Sequence, residues 1–202
     1  MNLASLTIHE TLNALASKEP TPGGGAVAGL LAALSGALGR MVLAYSVDRE
    51  DSEPHKELHD DCIVFLKAAS EESLLLGDAD AKAYEKVNAL WKLPKDDPSR
   101  VDGWNAALQE ATNIPIQTME LSDRILKTLE KLPNTTNTML ASDLAIAALL
   151  AETAAKVASW NVRVNLQLME DSPEIEKIRV HTESLLAGCK AKANAIENSC
   201  KV

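Results

Sequence analysis

Aromatic residues are scarce in this 202-residue sequence, at 3% of positions against 46% hydrophobic residues overall, so its core has to be built from Ala, Leu, Val and Ile. Those residues suit close helix packing, whereas sheets draw more on β-branched and aromatic side chains. Paired cysteines are also lacking. Cys62, Cys189 and Cys200 are odd in number and widely spaced, with no CxxC pair, which fits reduced thiols in a cytoplasm better than disulfides or structural zinc. Basic clusters are missing as well. A net charge of -9 argues against nucleic acid as a partner, because phosphate-backbone binding needs grouped Lys and Arg, although an anionic small molecule stays compatible with local basic residues. The first seventeen residues have neither a basic n-region nor a long apolar run, so they read as a helix and not as a signal peptide. The longest uncharged stretch, 20–39, holds six glycines and two prolines and stops at Arg40, a poor membrane span. A soluble, cytoplasmic protein is expected.

No period-2 run is long enough for a strand, and apolar residues recur at helical spacing nearly everywhere. Breakers divide the chain into about six helices. The first covers about 5–17, with Ser5 and Thr7 as candidate caps and Ile8, Leu12 and Leu15 on one face. The second follows Pro20-Thr21-Pro22-Gly23-Gly24-Gly25 and runs to about Val47; its body is apolar around the whole circumference, which predicts full burial in the middle of a bundle. A third helix spans about 55–93 and a fourth about 99–132, with Pro115 expected to kink or split the latter. The fifth follows Pro133-Asn134 and reaches about Met169, and the sixth opens at Asp171-Ser172-Pro173 and ends near Ser199. Short connections make consecutive helices antiparallel, giving an all-α, up-and-down bundle in a single domain over 1–202.

Polar residues that interrupt an apolar stripe are the places to look for chemistry, because burying them is unfavourable without a compensating role. On the third helix Ala69, Ser73, Leu76, Asp80, Tyr84, Val87 and Trp91 share a face. A carboxylate inside it should have a raised pKa, as a base or acid working near neutral pH needs. Asp78 lies about 200° away around the axis, with Glu71, Leu75, Lys82 and Glu85, so the two aspartates are not a shared-proton dyad. An interior carboxylate paired with an Arg or a helix N-terminus is the structural alternative for Asp80. On the fifth helix Asp143, Asn161 and Asn165 interrupt a stripe of Leu140, Ala147, Leu150, Ala154, Ala158 and Leu168. Asp143 and Asn161 are separated by roughly 27 Å of rise, so they bracket a long ligand or serve interhelical hydrogen bonds. Gly23, Gly24 and Gly25 put backbone N–H groups at the positive end of a helix, suited to an anion or a carbonyl oxygen, or else simply permit close packing. No Gly-Lys-Ser/Thr follows, so this is not a Walker loop. His55 and His59 have a spacing that metals accept but read as the solvated start of an acidic helix, and no metal is expected.

Taken together, Pro20-Thr21-Pro22-Gly23-Gly24-Gly25, Asp78-Ala79-Asp80-Ala81-Lys82-Ala83-Tyr84, Leu93-Pro94-Lys95, Asn137 with Ser142-Asp143, and Asn161-Val162-Arg163-Val164-Asn165-Leu166 resemble the cyclodeaminase part of formiminotransferase-cyclodeaminase. Stand-alone methenyltetrahydrofolate cyclohydrolases look like the same family. The likeness runs from about Ser5 to Leu185, with two departures: Ala26 where the family often has Ser, and Val157 where it often has Gly.

The resemblance implies a homodimeric helical bundle that takes a tetrahydrofolate derivative as substrate, with an acidic residue as proton acceptor. The family's aspartate carries over onto Asp78 and Asp80, and the stripe favours Asp80 as the catalytic group. The glycine entry, Tyr84, Asp143, Asn161 and Asn165 are the expected substrate-binding residues, and Arg49, Lys82 or Lys92 the expected contacts of the glutamate tail. The implied reaction is hydrolysis of 5,10-methenyltetrahydrofolate (a hydrolase) or cyclodeamination of 5-formiminotetrahydrofolate (a lyase). The lack of a formiminotransferase segment in this sequence inclines the reading to the cyclohydrolase. A non-catalytic helical dimer, folate-binding or scaffolding, is the alternative.

Overall fold

The computed structural model describes residues 2–47 and 50–200, with the backbone alone for residues 50–52. Six α-helices account for most of it, and no strand occurs among the described residues. They are α1 (Ile8–Ala16), α2 (Gly24–Ala44), α3 (Lys56–Trp91), α4 (Pro98–Leu129), α5 (Ala141–Leu166) and α6 (Pro173–Ser199). Side chains fix several of the starts. Thr7 and Glu10 form a reciprocal capping box at α1. Asp97 Oδ1 accepts the Ser99 N–H at 2.9 Å, and Ser172 caps α6; in both helices proline fills the first helical position, where its missing N–H is harmless. Helix α2 differs, because Gly23 at its N-cap has no side chain to offer.

Helices α2 to α5 form the bundle, and α6 lies along α4 and α5. The register is set where side chains are missing. A Cβ at Gly29 would stand 2.5 Å from the Ser73 carbonyl oxygen and 3.0 Å from Gly77, and one at Gly36 would stand 2.5 Å from Ser70 Oγ and 3.0 Å from the Leu66 carbonyl oxygen. These pairs run in opposite order along the two helices, so α2 and α3 are antiparallel with their backbones in near contact. Ser35 Oγ donates to the Ala147 carbonyl at 2.6 Å, while Gly24 lies beside Asn161, so α2 and α5 are antiparallel too. Between α3 and α4, Lys86 pairs with Glu110 at 2.7 Å and Arg124 with Glu72 at 3.0 Å. Asp123 of α4 accepts from Lys127 and Lys192, which ties α6 to α4.

Three expectations need correction. Helix α2 is not fully buried: Leu34 is 47% exposed, as is Tyr45 just past the helix end at 66%, and a fully apolar helix carries no phase that would have revealed the open side. By length and hydropathy α2 and Thr138–Leu166 would each suffice to cross a membrane, but over half of the α2 stretch (56%) is buried inside this bundle. Of the kink or split expected at Pro115, the split does not occur, and α4 continues through it. His59 is fully buried, not solvated; its Nε2 lies 3.4 Å from Thr135 Oγ1, and its Nδ1 has no hydrogen-bond partner among the described residues. Burial lowers its pKa, with His55 adding to the effect.

Replacing Gly29 by Ala sets a local helical gain of about 1 kcal/mol against overpacking of typically 1–3 kcal/mol. The obstructing atoms belong to backbone that has nowhere to retreat, so Gly29→Ala is expected to lower the melting temperature in circular dichroism. An unchanged or raised value would show that α2 and α3 are less closely apposed.

Candidate active site

The entry to α2 faces one end of α3 and α5 across a cleft of about 220 Å³. Its walls are Pro20, Thr21, Gly23, Gly24 and Gly25 from the entry, Asp80, Ala81 and Tyr84 from α3, Ala111 from α4, and Asn161, Val164 and Asn165 from α5. The stripe on α3 explains Asp80. Its members Ala69 and Ser73 are buried in the bundle, the stripe opens at Tyr84, which is 48% exposed, and Asp80 lies one turn before that opening. Glycine at 25 is required by close approach, since any Cβ there would overlap the Asp80 carboxylate. A Cβ at Gly24 would sit 3.5 Å from Asn161 Oδ1, in ordinary contact. Thr21 Oγ1 donates to Glu85 Oε1 at 2.9 Å and fastens the entry to α3. The Thr21–Pro22 peptide is cis.

Burial pushes the Asp80 carboxyl up to about 6, with the Asn161 side chain opposing the rise as a hydrogen-bond partner. A carboxyl near that value exchanges its proton readily around neutrality, as general acid–base chemistry demands. On α5, Asn165 Nδ2 donates to the Ala111 carbonyl at 2.7 Å. The uncapped start of α2 adds backbone N–H groups and a positive helix end at the same opening.

The structure thus brings together Gly23, Gly24, Gly25, Asp80, Tyr84, Asn161 and Asn165, and leaves two candidates elsewhere. Asp78 does not line the cleft. Both of its carboxylate oxygens accept the Leu3 N–H, at 3.1 and 3.2 Å, so it pins the turn Leu3–Ser5 onto α3. Asp143 lies in the first turn of α5, where a negative charge complements the helix dipole, at the far end of that helix from Asn161. Lys82 on α3 and Lys92 just past its end are exposed and line no part of the cleft, and Arg49 lies outside the described residues. Ala26 is buried beside Gly77 and is not a cleft residue, so the absence of a hydroxyl there takes nothing from the wall. Ala111 is the wall residue that side-chain patterns miss, because it contributes a carbonyl. Among the described residues no three His, Cys, Asp or Glu side chains converge as a metal site.

The raised pKa of Asp80 has a stability consequence of definite sign. The folded chain holds this proton more tightly than the unfolded chain, so stability falls as pH rises from the ordinary carboxylate range through about 6. At about 1.4 kcal/mol per pK unit the loss reaches at most about 3 kcal/mol. Asp80→Asn is expected to remove this dependence and to be more stable than the parent above about pH 6, as read by thermal denaturation across a pH series. A variant that is less stable at every pH would contradict the buried, proton-retaining carboxyl.

A family model described as Formiminotransferase-cyclodeaminase matches residues 7–184. The chain is 32% identical to the formimidoyltransferase-cyclodeaminase of Rattus norvegicus, over 98% of its own length and 37% of that protein. It spans little more than a third of such relatives, the Sus scrofa protein included, at 34% identity over 88% of this chain and 34% of that one. With the methenyltetrahydrofolate cyclohydrolase of Methylorubrum extorquens it shares 28% identity over 96% of each chain. Its fold is similar to the crystal structure of formiminotetrahydrofolate cyclodeaminase from Thermotoga maritima, with a TM-score of 0.83 and 27% identity over 98% of this chain and 96% of that one. With a match across nearly its whole length and the same all-helical architecture, the chain belongs to the formiminotransferase-cyclodeaminase family.

Proposed function

We propose that this chain is an enzyme of tetrahydrofolate one-carbon metabolism that works on the carbon between N5 and N10, with Asp80 as the group that takes and returns the proton. The observation that carries this reading is the Asp80 carboxyl, held near a pKa of 6 against Gly25 and flanked by Asn161 in a cleft. That cleft is smaller than the roughly 300–1,000 Å³ that enclose a whole drug-sized ligand, so it takes one end of the folate and leaves the remainder outside.

In the hydrolysis of 5,10-methenyltetrahydrofolate, Asp80 accepts a proton from water as the oxygen attacks the methenyl carbon. The tetrahedral carbinolamine then opens at its bond to N5. N5 gains a proton as the hydroxyl loses one, which gives 10-formyltetrahydrofolate and one net proton. In the cyclodeamination of 5-formiminotetrahydrofolate, N10 attacks the formimino carbon and gives its proton to Asp80. The carboxyl returns that proton to the departing nitrogen, which takes a second from solution and leaves as ammonia. Both routes need one carboxyl that changes state near neutral pH. The full-length likeness to the Methylorubrum extorquens protein favours the first, and that to the Thermotoga maritima structure the second.

A homodimer is part of the same proposal. Leu34 on α2 and Ile146 and Leu149 on α5 are exposed within one turn of the Ser35 to Ala147 contact, and Trp160 lies further along α5 at 61% exposure. An apolar strip running over two packed helices fits a second copy of the chain. Leu34→Glu is expected to yield monomers in sedimentation analysis, and a wild type that is monomeric at micromolar concentration would end this part of the proposal.

The activity is tested by supplying each folate separately and following methenyltetrahydrofolate absorbance, corrected for the spontaneous reaction. kcat/KM should rise with pH through about 6 and then level, as the base loses its proton. Asp80→Asn should lower kcat by about 10²–10⁴-fold with helicity intact. Asp78→Asn should keep turnover and lose only the hold on Leu3. Full activity in both variants would remove Asp80 from its role, and a wild type that neither binds nor converts either folate would favour the scaffold reading.

A further inference from the structure

Pro115 is buried inside α4, and the helix runs through it unbroken. Each residue of an α-helix donates its N–H to the carbonyl four positions earlier. Proline has no N–H, and its ring crowds that same carbonyl, which must turn away from the helix axis. The carbonyl in question belongs to Ala111, which lines the cleft, and the group that serves it is Asn165 Nδ2 at 2.7 Å. A carbonyl oxygen can only accept, so it fixes which end of the Asn165 carboxamide faces it. Oδ1, which accepts no hydrogen bond among the described residues, is the polar atom that Asn165 has left for the cleft.

We propose that Pro115 is a positioning residue of the site: by denying Ala111 its helical donor, it locks the Asn165 carboxamide with its oxygen free to accept an N–H of the bound ligand. The proposal rests on the one-carbon reading for the ligand's identity, since a pterin ring offers N–H donors along its edge. It does not rest on that reading for the lock itself. An N–H at position 115 would draw the Ala111 carbonyl back along the helix, and the carboxamide would then rotate between donor and acceptor poses.

Pro115→Ala tests this, because the substitution improves the helix while loosening the site. The melting temperature should hold or rise. KM for 5,10-methenyltetrahydrofolate should rise about tenfold, the loss of one well-placed hydrogen bond, and kcat should fall by less. In an Asn165→Ala background the same change should leave KM where it is. Proton–nitrogen NMR of the ligand-free protein supplies a readout independent of folate: the Asn165 side-chain amide should exchange with solvent faster in Pro115→Ala than in the parent. An unchanged Asn165 exchange rate, or an unchanged KM in a parent that turns over folate, overturns the proposal. A parent without folate activity fails the one-carbon reading, and the exchange comparison alone then decides for or against the lock. The stability cycle closes the case in which Pro115→Ala weakens the fold. Asn165→Leu leaves the Ala111 carbonyl unserved, so adding Pro115→Ala should raise its melting temperature, and a further fall would overturn the proposal.

Discussion

The near contact of two helix backbones is the constraint from which this structure follows. Glycine inside a helix is disfavoured by about 1 kcal/mol relative to alanine, yet α2 places Gly29 and Gly36 where any Cβ would strike α3. Packing at that distance offsets the local disadvantage and fixes the register of α2 on α3. The register then decides the chemistry. One turn before Gly29, where α2 meets Ser73 and Gly77, it meets the Asp80 carboxylate at Gly25. The candidate active site is therefore the last turn of a helix–helix contact, with a titratable group in place of backbone.

That position holds Asp80 between opposing influences. Burial favours its neutral form, whereas Asn161 and the uncapped, positive end of α2 favour the anion. Had a serine or aspartate stood at position 23, as Thr7, Asp97 and Ser172 stand at α1, α4 and α6, its side chain would have occupied the free N–H groups of α2. The bare glycine leaves them to the cleft. A carboxyl poised in this way is destabilising when ionised, a cost that the proposed proton-transfer role would account for.

Much of this is legible in the sequence because local rules set it. Caps at Thr7, Asp97 and Ser172 and prolines at the first helical positions mark where helices begin, and Asp80 stands out as the one charge in an apolar stripe. Periodicity reports only the angle around a helix, so it grouped Asp143 with Asn161 although they belong to opposite ends of α5. It also set Asp78 on a charged face with Glu71, Lys82 and Glu85. Asp78 is buried because the turn at Leu3, 75 residues away, folds over it, and no local pattern carries such a contact. Ala111 was invisible for a different reason: what it contributes is a carbonyl, whose only sequence trace is the proline four residues on.

Several locally unfavourable choices meet at the cleft. Helix α2 begins at consecutive glycines without a side-chain cap, a proline sits in the middle of α4, and a carboxylate is held in the cleft with no ion pair among the described residues. Each is disfavoured on its own terms, and each borders the same cleft or serves a residue that does. Elsewhere buried Asp123 is paired to two lysines and the hydroxyls of Thr112, Ser122 and Thr182 are bonded back to their own helices, although α3 and α5 also start without a side-chain cap and His59 is buried far from the cleft. A scaffold whose task was to present a surface would gain nothing from this convergence, because regular helices bury the same apolar area with less strain. Irregularity meeting at a titratable group is what a functional site tends to carry, and it supports the proposed enzyme reading over the scaffold on physical grounds that stand apart from the names of the relatives.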